Sequence, residues 1–226
     1  MCGRYTQTAS GQRLAETFRL ADEPDMPARY NIAPTQTIAV VRMLAEEPAP
    51  QLAFMHWGLI PSWSKDPKMG ARLFNARSET VEEKPSFRTA FKRRRCLIPA
   101  DGFYEWQKME DGKQPYFFYL PGKEGDRQPF GFAGLWEHWE AGDGSVMESC
   151  TILTTEANAD MEDIHDRMPV IVKPEDYDRW LNPLQEGRSL HDILQPFGEG
   201  AIARYPVGKV VNNARNDSPE CMEPAA

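Results

Sequence analysis

From Gly102 to Thr155 the chain reads as one strand after another, and no stretch in that interval has the period of a crossover helix. The strand-like runs are Phe103–Gln107, Tyr116–Leu120, Phe130–Trp136 and Met147–Thr155, each rich in aromatic or β-branched residues. Asp111-Gly112 and Asp143-Gly144 lie between them, and Asp-Gly is the dipeptide of tight hairpin turns. Parallel neighbours would need long crossovers, so this interval predicts antiparallel pairing and excludes a doubly wound α/β sheet.

Thr37–Met43 and Leu52–Leu59 read as two more strands around a Glu46–Pro50 turn, and Cys96–Ile98 as another. The predicted helices are short. Ser10 caps one whose apolar face carries Leu14 and Phe18, and a second covers Ser86–Arg94. Lys173-Pro174 starts a third, with Tyr177, Trp180 and Leu181 on one face, which Asn182-Pro183 ends; Ser189–Leu194 is a fourth, stopped by Pro196. Ile202–Val211 offers one or two further strands, and the tail from Asn216 reads as loose. Nineteen prolines and sixteen glycines, scattered throughout, enforce short elements with many turns. The expectation is a single α+β domain over residues 1–226, with mainly antiparallel strands in a barrel-like sheet and short helices at its periphery.

No stretch approaches 18 consecutive apolar residues, and Met1-Cys2-Gly3-Arg4-Tyr5 lacks the apolar core of a signal peptide. A cytoplasmic monomer without membrane contact is expected. The four cysteines are scattered with no Cys-x-x-Cys pair, which argues against a disulfide framework and a metal site, and no cofactor motif stands out. The net charge of −8 hides a segregation: Pro61–Arg95 carries ten Lys/Arg against four acids, a local +6 that leaves −14 on the rest. A basic stripe on an acidic body is a footprint that phosphates can use.

Cys2 carries the sharpest chemistry. Trimming of Met1 would leave an α-amine and a thiol on adjacent carbons. An α-amine has a pKa near ~8 against ~10.4 for lysine, so on the order of hundreds of times more of it is the neutral nucleophile at neutral pH. Such an amine attacks an aldehyde to give an imine, and the adjacent thiol can then close a five-membered thiazolidine ring.

Six phrases run through the chain. They are Cys2-Gly3-Arg4-Tyr5, Arg29-Tyr30-Asn31-Ile32-Ala33-Pro34, Trp57-Gly58-Leu59-Ile60-Pro61-Ser62-Trp63, Asn75-Ala76-Arg77-Ser78-Glu79-Thr80, Cys96-Leu97-Ile98-Pro99-Ala100-Asp101-Gly102-Phe103-Tyr104-Glu105-Trp106 and Ile164-His165-Asp166-Arg167-Met168-Pro169. In this order and spacing, from Cys2 to about Asn216, the chain closely resembles the SRAP (SOS-response-associated peptidase) family of abasic-site processing proteins. The resemblance implies an enzyme that binds single-stranded DNA and crosslinks Cys2 to the abasic-site aldehyde, with associated AP-lyase and autoproteolytic activity. It implies that Asn75 holds the reacting amino terminus, that Glu105 is the general acid/base, and that His165 assists ring opening and protonation. Arg77 and Arg167, with Arg4, would grip phosphates; Trp63 and Pro34 would pack on bases, and Thr154 would support the site from a strand end.

The residues themselves agree with those roles. On a strand, Tyr104 and Trp106 face away from Glu105, and a partly apolar cleft raises a carboxyl pKa toward working pH. Asn75 and Arg77, two apart on an extended segment, share a side, and histidine has the pKa range for proton transfer. An exposed tryptophan can stack on a base for about 1–3 kcal/mol. Three other readings remain at this stage: an N-terminal-nucleophile amidohydrolase, whose thiol attacks an amide, an autoproteolytic or thiol peptidase, and a noncatalytic single-strand binding module.

Overall fold

The computed structural model describes residues 2–225. Strand β1 (Arg4–Gln7) leads into helix α1 (Gly11–Phe18), followed by β2 (Arg29–Ile32), β3 (Thr37–Arg42) and β4 (Gln51–Trp57). Then come β5 (Asn75–Arg77), α2 (Arg88–Arg93), β6 (Arg95–Ala100), β7 (Gly102–Met109) and β8 (Gly112–Tyr119). The long hairpin of β9 (Phe130–Glu140) and β10 (Val146–Glu156) precedes β11 (Arg167–Pro169), β12 (Ile171–Val172), α3 (Tyr177–Leu181) and β13 (Ala203–Pro206).

Strands β10, β4, β3, β6 and β9 pair in that order, and β9 pairs back to β10, so these five close into a barrel. Closure removes the free edges that an open sheet would expose. Strands β5 and β11 attach to β10, and β12 to β9. A second sheet, ordered β13-β8-β7-β1-β2, packs on the barrel. The molecule is one α+β domain of mostly antiparallel strands. Two pairings are parallel, β10 with β4 and β10 with β5, and hairpin signals could not announce them because the partners lie far apart in the chain.

The two-residue strand period sorts the core into layers. Val40, Ile98, Phe132 and Ile152 pack with Tyr5, Phe103 and Phe118 of the second sheet. Their neighbours Val41, Leu97, Ala133 and Leu153 turn to the other face, against Leu14 and Phe18 of α1, Phe91 of α2 and Trp180 of α3. Ser10 caps α1 by accepting from the Arg13 amide, as its sequence position predicts.

The structure revises three expectations. Arg95, counted with the basic segment, is buried: its guanidinium donates to the carbonyls of Phe91 (2.6 Å), Lys92 (2.9 Å), Trp180 (2.8 Å), Gln185 (3.1 Å) and Asn182. Burial lowers its pKa to about 10. Arg94 pairs with Glu137 at 2.8 Å, so the basic stripe loses its last two members to internal contacts. The helix expected at Ser189–Leu194 is instead a 3-10 turn at Gly187–Leu190, whereas Ile202–Val211 holds one strand, as expected.

The tail from Asn216, expected to be loose, is packed. Asp217 accepts from the Tyr30 and Asn31 amides at 2.5 and 3.0 Å, and Cys221 is fully buried beside Tyr104 and Phe117. Asn31 organises this closure: its Nδ2 reaches the carbonyls of Val211 (3.1 Å), Asn213 (3.1 Å) and Asn216 (2.8 Å), while its Oδ1 accepts from Arg4 at 3.0 Å. Replacing Asn31 by Ala would orphan these groups, at a cost of about 2–3 kcal/mol for buried unsatisfied partners. Urea unfolding should show that loss, together with faster proteolysis beyond residue 211; an unchanged midpoint would mean the tail is held by other contacts.

Candidate active site

Strand β1 pairs with β7 in the register Arg4 to Tyr104, which brings the start of the chain alongside Glu105. Cys2 is fully buried at the margin of the core shared by the two sheets. Asn75 reaches it from the other side, donating from Nδ2 to the Cys2 carbonyl at 2.8 Å. Asn75 is placed there by the parallel register of β5 on β10 and by Trp57, whose indole N–H donates to the carbonyl of the preceding residue, Phe74, at 2.8 Å. The adjoining Gly58 is required by space: φ is 147°, and a Cβ would lie 2.6 Å from the Gly70 carbonyl oxygen. The Asn75 Oδ1 is buried and has no hydrogen-bond partner among the described residues.

Glu105 is 3% exposed, while Tyr104 and Trp106 turn to the opposite face with Val207, Val211 and Cys221, as the strand period requires. Burial pushes its carboxyl pKa up, against the opposing pull of positive charge at the amino terminus and at His165. The Cys2 thiol is also pushed well above its ordinary value, first by burial and then by the charge of Glu105. Asp101, a residue the sequence reading did not single out, pins β1 from below the site. Its carboxylate accepts from the Thr6 hydroxyl (2.5 Å), the Thr8 amide (2.7 Å) and the Thr8 hydroxyl (2.5 Å).

His165 precedes β11. Its Nδ1 lies 3.0 Å from the Arg167 amide and 2.9 Å from an Asp166 carboxylate oxygen, and the two contacts make opposite demands. The amide can only donate, whereas the carboxylate can only accept. When Nδ1 accepts from that amide, the neutral form of the ring carries its proton on Nε2. Cys2, Asn75, Glu105 and His165 therefore converge at one end of β1, although they come from four separate segments.

The residues expected to contact DNA divide into two groups. Trp63 is 57% exposed, Arg77 is exposed without a hydrogen-bond partner among the described residues, and Pro34 is half-buried. Thr35, after Pro34, holds φ at 72°, rare for a β-branched residue, with its amide on the Trp57 carbonyl at 2.8 Å. Arg4 and Arg167 are engaged inside the protein. Arg4 donates to Asn31 (3.0 Å) and to the Val211 carbonyl (2.7 Å), with Trp106 beneath it. Arg167 makes a bidentate pair with Glu79 (2.6 and 2.9 Å) and donates to the carbonyl of Thr154 (2.7 Å), itself fully buried.

A cavity of about 800 Å³ is lined by residues such as Met43, Trp136 and Leu184 and contains none of these groups. A smaller one of about 310 Å³ adjoins Glu79. Among the described residues no cluster of His, Cys, Asp and Glu is suited to a metal, and no helix is long and apolar enough to cross a membrane.

Fold and site together define a barrel domain that buries a cysteine next to the chain's start beside a buried carboxyl, a histidine and an asparagine. The chain belongs to the SOS response associated peptidase (SRAP) family, whose profile matches residues 1–214. It is 40% identical over 227 residues to the abasic site processing protein YoqW of Bacillus subtilis (strain 168), covering 99% of both chains. It is 35% identical over 265 residues to the abasic site processing protein HMCES of Xenopus tropicalis, covering 98% of this chain and 78% of that one. A crystal structure of a Bacteroides thetaiotaomicron protein, 24% identical, shares the fold over the full length of both chains with a TM-score of 0.87.

The raised pKa of Glu105 has a consequence for stability. Folded Glu105 holds its proton more tightly than an unfolded glutamate, so its contribution is present at acid pH and is lost as pH rises through the folded value. Glu105→Gln should therefore be more stable than the native protein near neutral pH. That advantage should shrink on acidification and vanish below about pH 4, where unfolded glutamate is itself protonated. Thermal melts across this range check it, and a difference that ignores pH contradicts it.

Proposed function

We propose that this protein captures abasic sites in single-stranded DNA as a covalent adduct on Cys2, after Met1 has been removed. The convergence of Cys2, Asn75, Glu105 and His165 at one point carries this reading, and the names of the relatives agree with it. The released α-amine is the first nucleophile, because the buried thiol is kept protonated. His165 hydrogen-bonds from Nε2 to the deoxyribose ring oxygen while the C1′ hydroxyl proton passes through water to that oxygen and the ring opens to the aldehyde. The amine adds to the aldehyde carbon, and Glu105 takes the proton that the nitrogen sheds. Returned to the oxygen, that proton makes the carbinolamine hydroxyl, and the second nitrogen proton passed the same way lets the hydroxyl leave as one water, so that an imine remains. The Cys2 sulfur then adds to the imine carbon while its proton passes to the nitrogen, closing the thiazolidine.

Asn75 holds the Cys2 carbonyl throughout, and its buried Oδ1 is an acceptor suited to the amine. Ring closure removes the imine, the group through which β-elimination would cut the strand, so capture competes with AP-lyase action. Removal of Met1 by the protein itself would serve to expose the amine. Arg77 and Trp63 take the neighbouring phosphate and base, with Pro34 beside them. A cytoplasmic monomer suffices, since every reacting group comes from one chain and no cofactor or metal is needed. The amidohydrolase alternative uses the thiol as first nucleophile, and the buried, protonated Cys2 disfavours it.

Crosslinking to abasic oligonucleotides, read on denaturing gels, tests the proposal. Single-stranded substrate should react clearly faster than duplex, because the lesion must be splayed to reach a buried cysteine. Glu105→Gln should slow the reaction by roughly 10²-fold, the scale of general acid–base catalysis. Equal rates on both substrates would contradict the substrate assignment, and a wild-type rate for Glu105→Gln would contradict the role of Glu105.

A further inference from the structure

Arg77 and Arg167 approach one strip of β10 from opposite sides. Arg77 pairs with Thr154 and Arg167 with Glu156, and residues 154 and 156 share a face. Glu79 reaches Arg167 from the turn that follows Arg77. Its two oxygens take both terminal nitrogens of Arg167 at 2.6 and 2.9 Å, while the Thr154 carbonyl takes a further N–H at 2.7 Å. The Arg167 side chain is only 12% exposed and its Nε is buried, so no edge of the guanidinium is open to a phosphate. Glu79 is 43% exposed and feels the charge of Arg77 as well as that of Arg167. Burial pushes its carboxyl up, but the Arg167 hydrogen bonds and the two positive charges together hold it below its ordinary value. A carboxylate forked onto a guanidinium occupies the place that a phosphate would take, because both anions present paired oxygens to the same donors.

Resting on the reading that the protein binds single-stranded DNA, we propose that Glu79 is a specificity-determining residue, a built-in competitor that a DNA phosphate must displace to engage Arg167. An undamaged strand meets Arg77 and Trp63 alone and departs. A strand captured at its abasic residue by Cys2 stays long enough for its phosphate to replace the carboxylate. Glu79 thereby lowers affinity for undamaged DNA more than for the lesion, which is discrimination by an added repulsive element.

The test is fluorescence anisotropy with an undamaged, labelled oligo-dT at several salt concentrations. It compares the native protein, Glu79→Gln, Glu79→Ala, Arg167→Ala and the Glu79→Gln/Arg167→Ala double variant. Removing the Glu79 charge should tighten binding at low salt by at least about fivefold, as relief of like-charge repulsion does at interfaces. The slope of log K against log salt should steepen by about 0.7, the value of one more neutralised phosphate on a single strand. Most of the gain should disappear in the Arg167→Ala background. If Glu79 only positions Arg167, both Glu79 variants will bind more weakly with a flatter slope. That result, or binding and slope that do not change, overturns the proposal. A native protein that does not bind the oligonucleotide overturns the functional reading beneath it, so the two failures are distinguishable.

Discussion

The first residues of a chain are usually its least constrained part, and here a reaction is assigned to them. The hydrogen bond from Asn75 to the Cys2 carbonyl is the interaction on which the rest depends. It works because both ends are fixed by the barrel. Asn75 stands in register on β10, and β1 is held to β7 by pairing and to Asp101 through Thr6 and Thr8. The parallel β5–β10 pair is thus the structural device that brings a segment from the middle of the chain onto its beginning.

Burial then sets the chemistry. Cys2 and Glu105 lie together out of solvent; burial raises the cost of charging each, and the charge of Glu105 adds to the cost for Cys2. In the proposed reaction a thiol that stays protonated would wait for the imine, and a carboxyl with a raised pKa would keep its proton to higher pH than a free one. The same economy of charge appears among the arginines. Arg95 is a buried clamp between α2 and α3, Arg4 ties β1 to the C-terminal segment, and Arg167 is forked onto Glu79. Arg77 stands exposed, and a count of basic residues overstates the positive charge left at the surface.

Much of this was legible in the sequence. The alternation and Asp-Gly turns between Gly102 and Thr155 announced the antiparallel strands, and Ser10, Leu14 and Phe18 announced α1. Strands β5, β11 and β12 span two or three residues, too few to show a period, and the parallel pairs join segments that lie far apart in the chain. The C-terminal segment looked loose because it is polar, yet it is held by backbone carbonyls converging on one amide, Asn31. The four convergent site residues were readable from the phrases that contain them. Glu79 stands inside one of those phrases and was passed over, since a glutamate two residues from an arginine reads as ordinary surface charge. Asp101 was missed for a similar reason: its partners are threonines far away in sequence.

The central claim is that one residue supplies both nucleophiles, and intact-mass spectrometry of the protein mixed with abasic single-stranded DNA tests it most directly. The protein lacking Met1 should gain the mass of the oligonucleotide less one water, and the adduct should survive denaturation without reduction. A form whose amino terminus is blocked by a permanent tag keeps the Cys2 thiol but has no free amine on that residue, and it should gain nothing. A stable adduct on Cys2 of the blocked protein would contradict the aminothiol mechanism and leave a simple thiol nucleophile in its place.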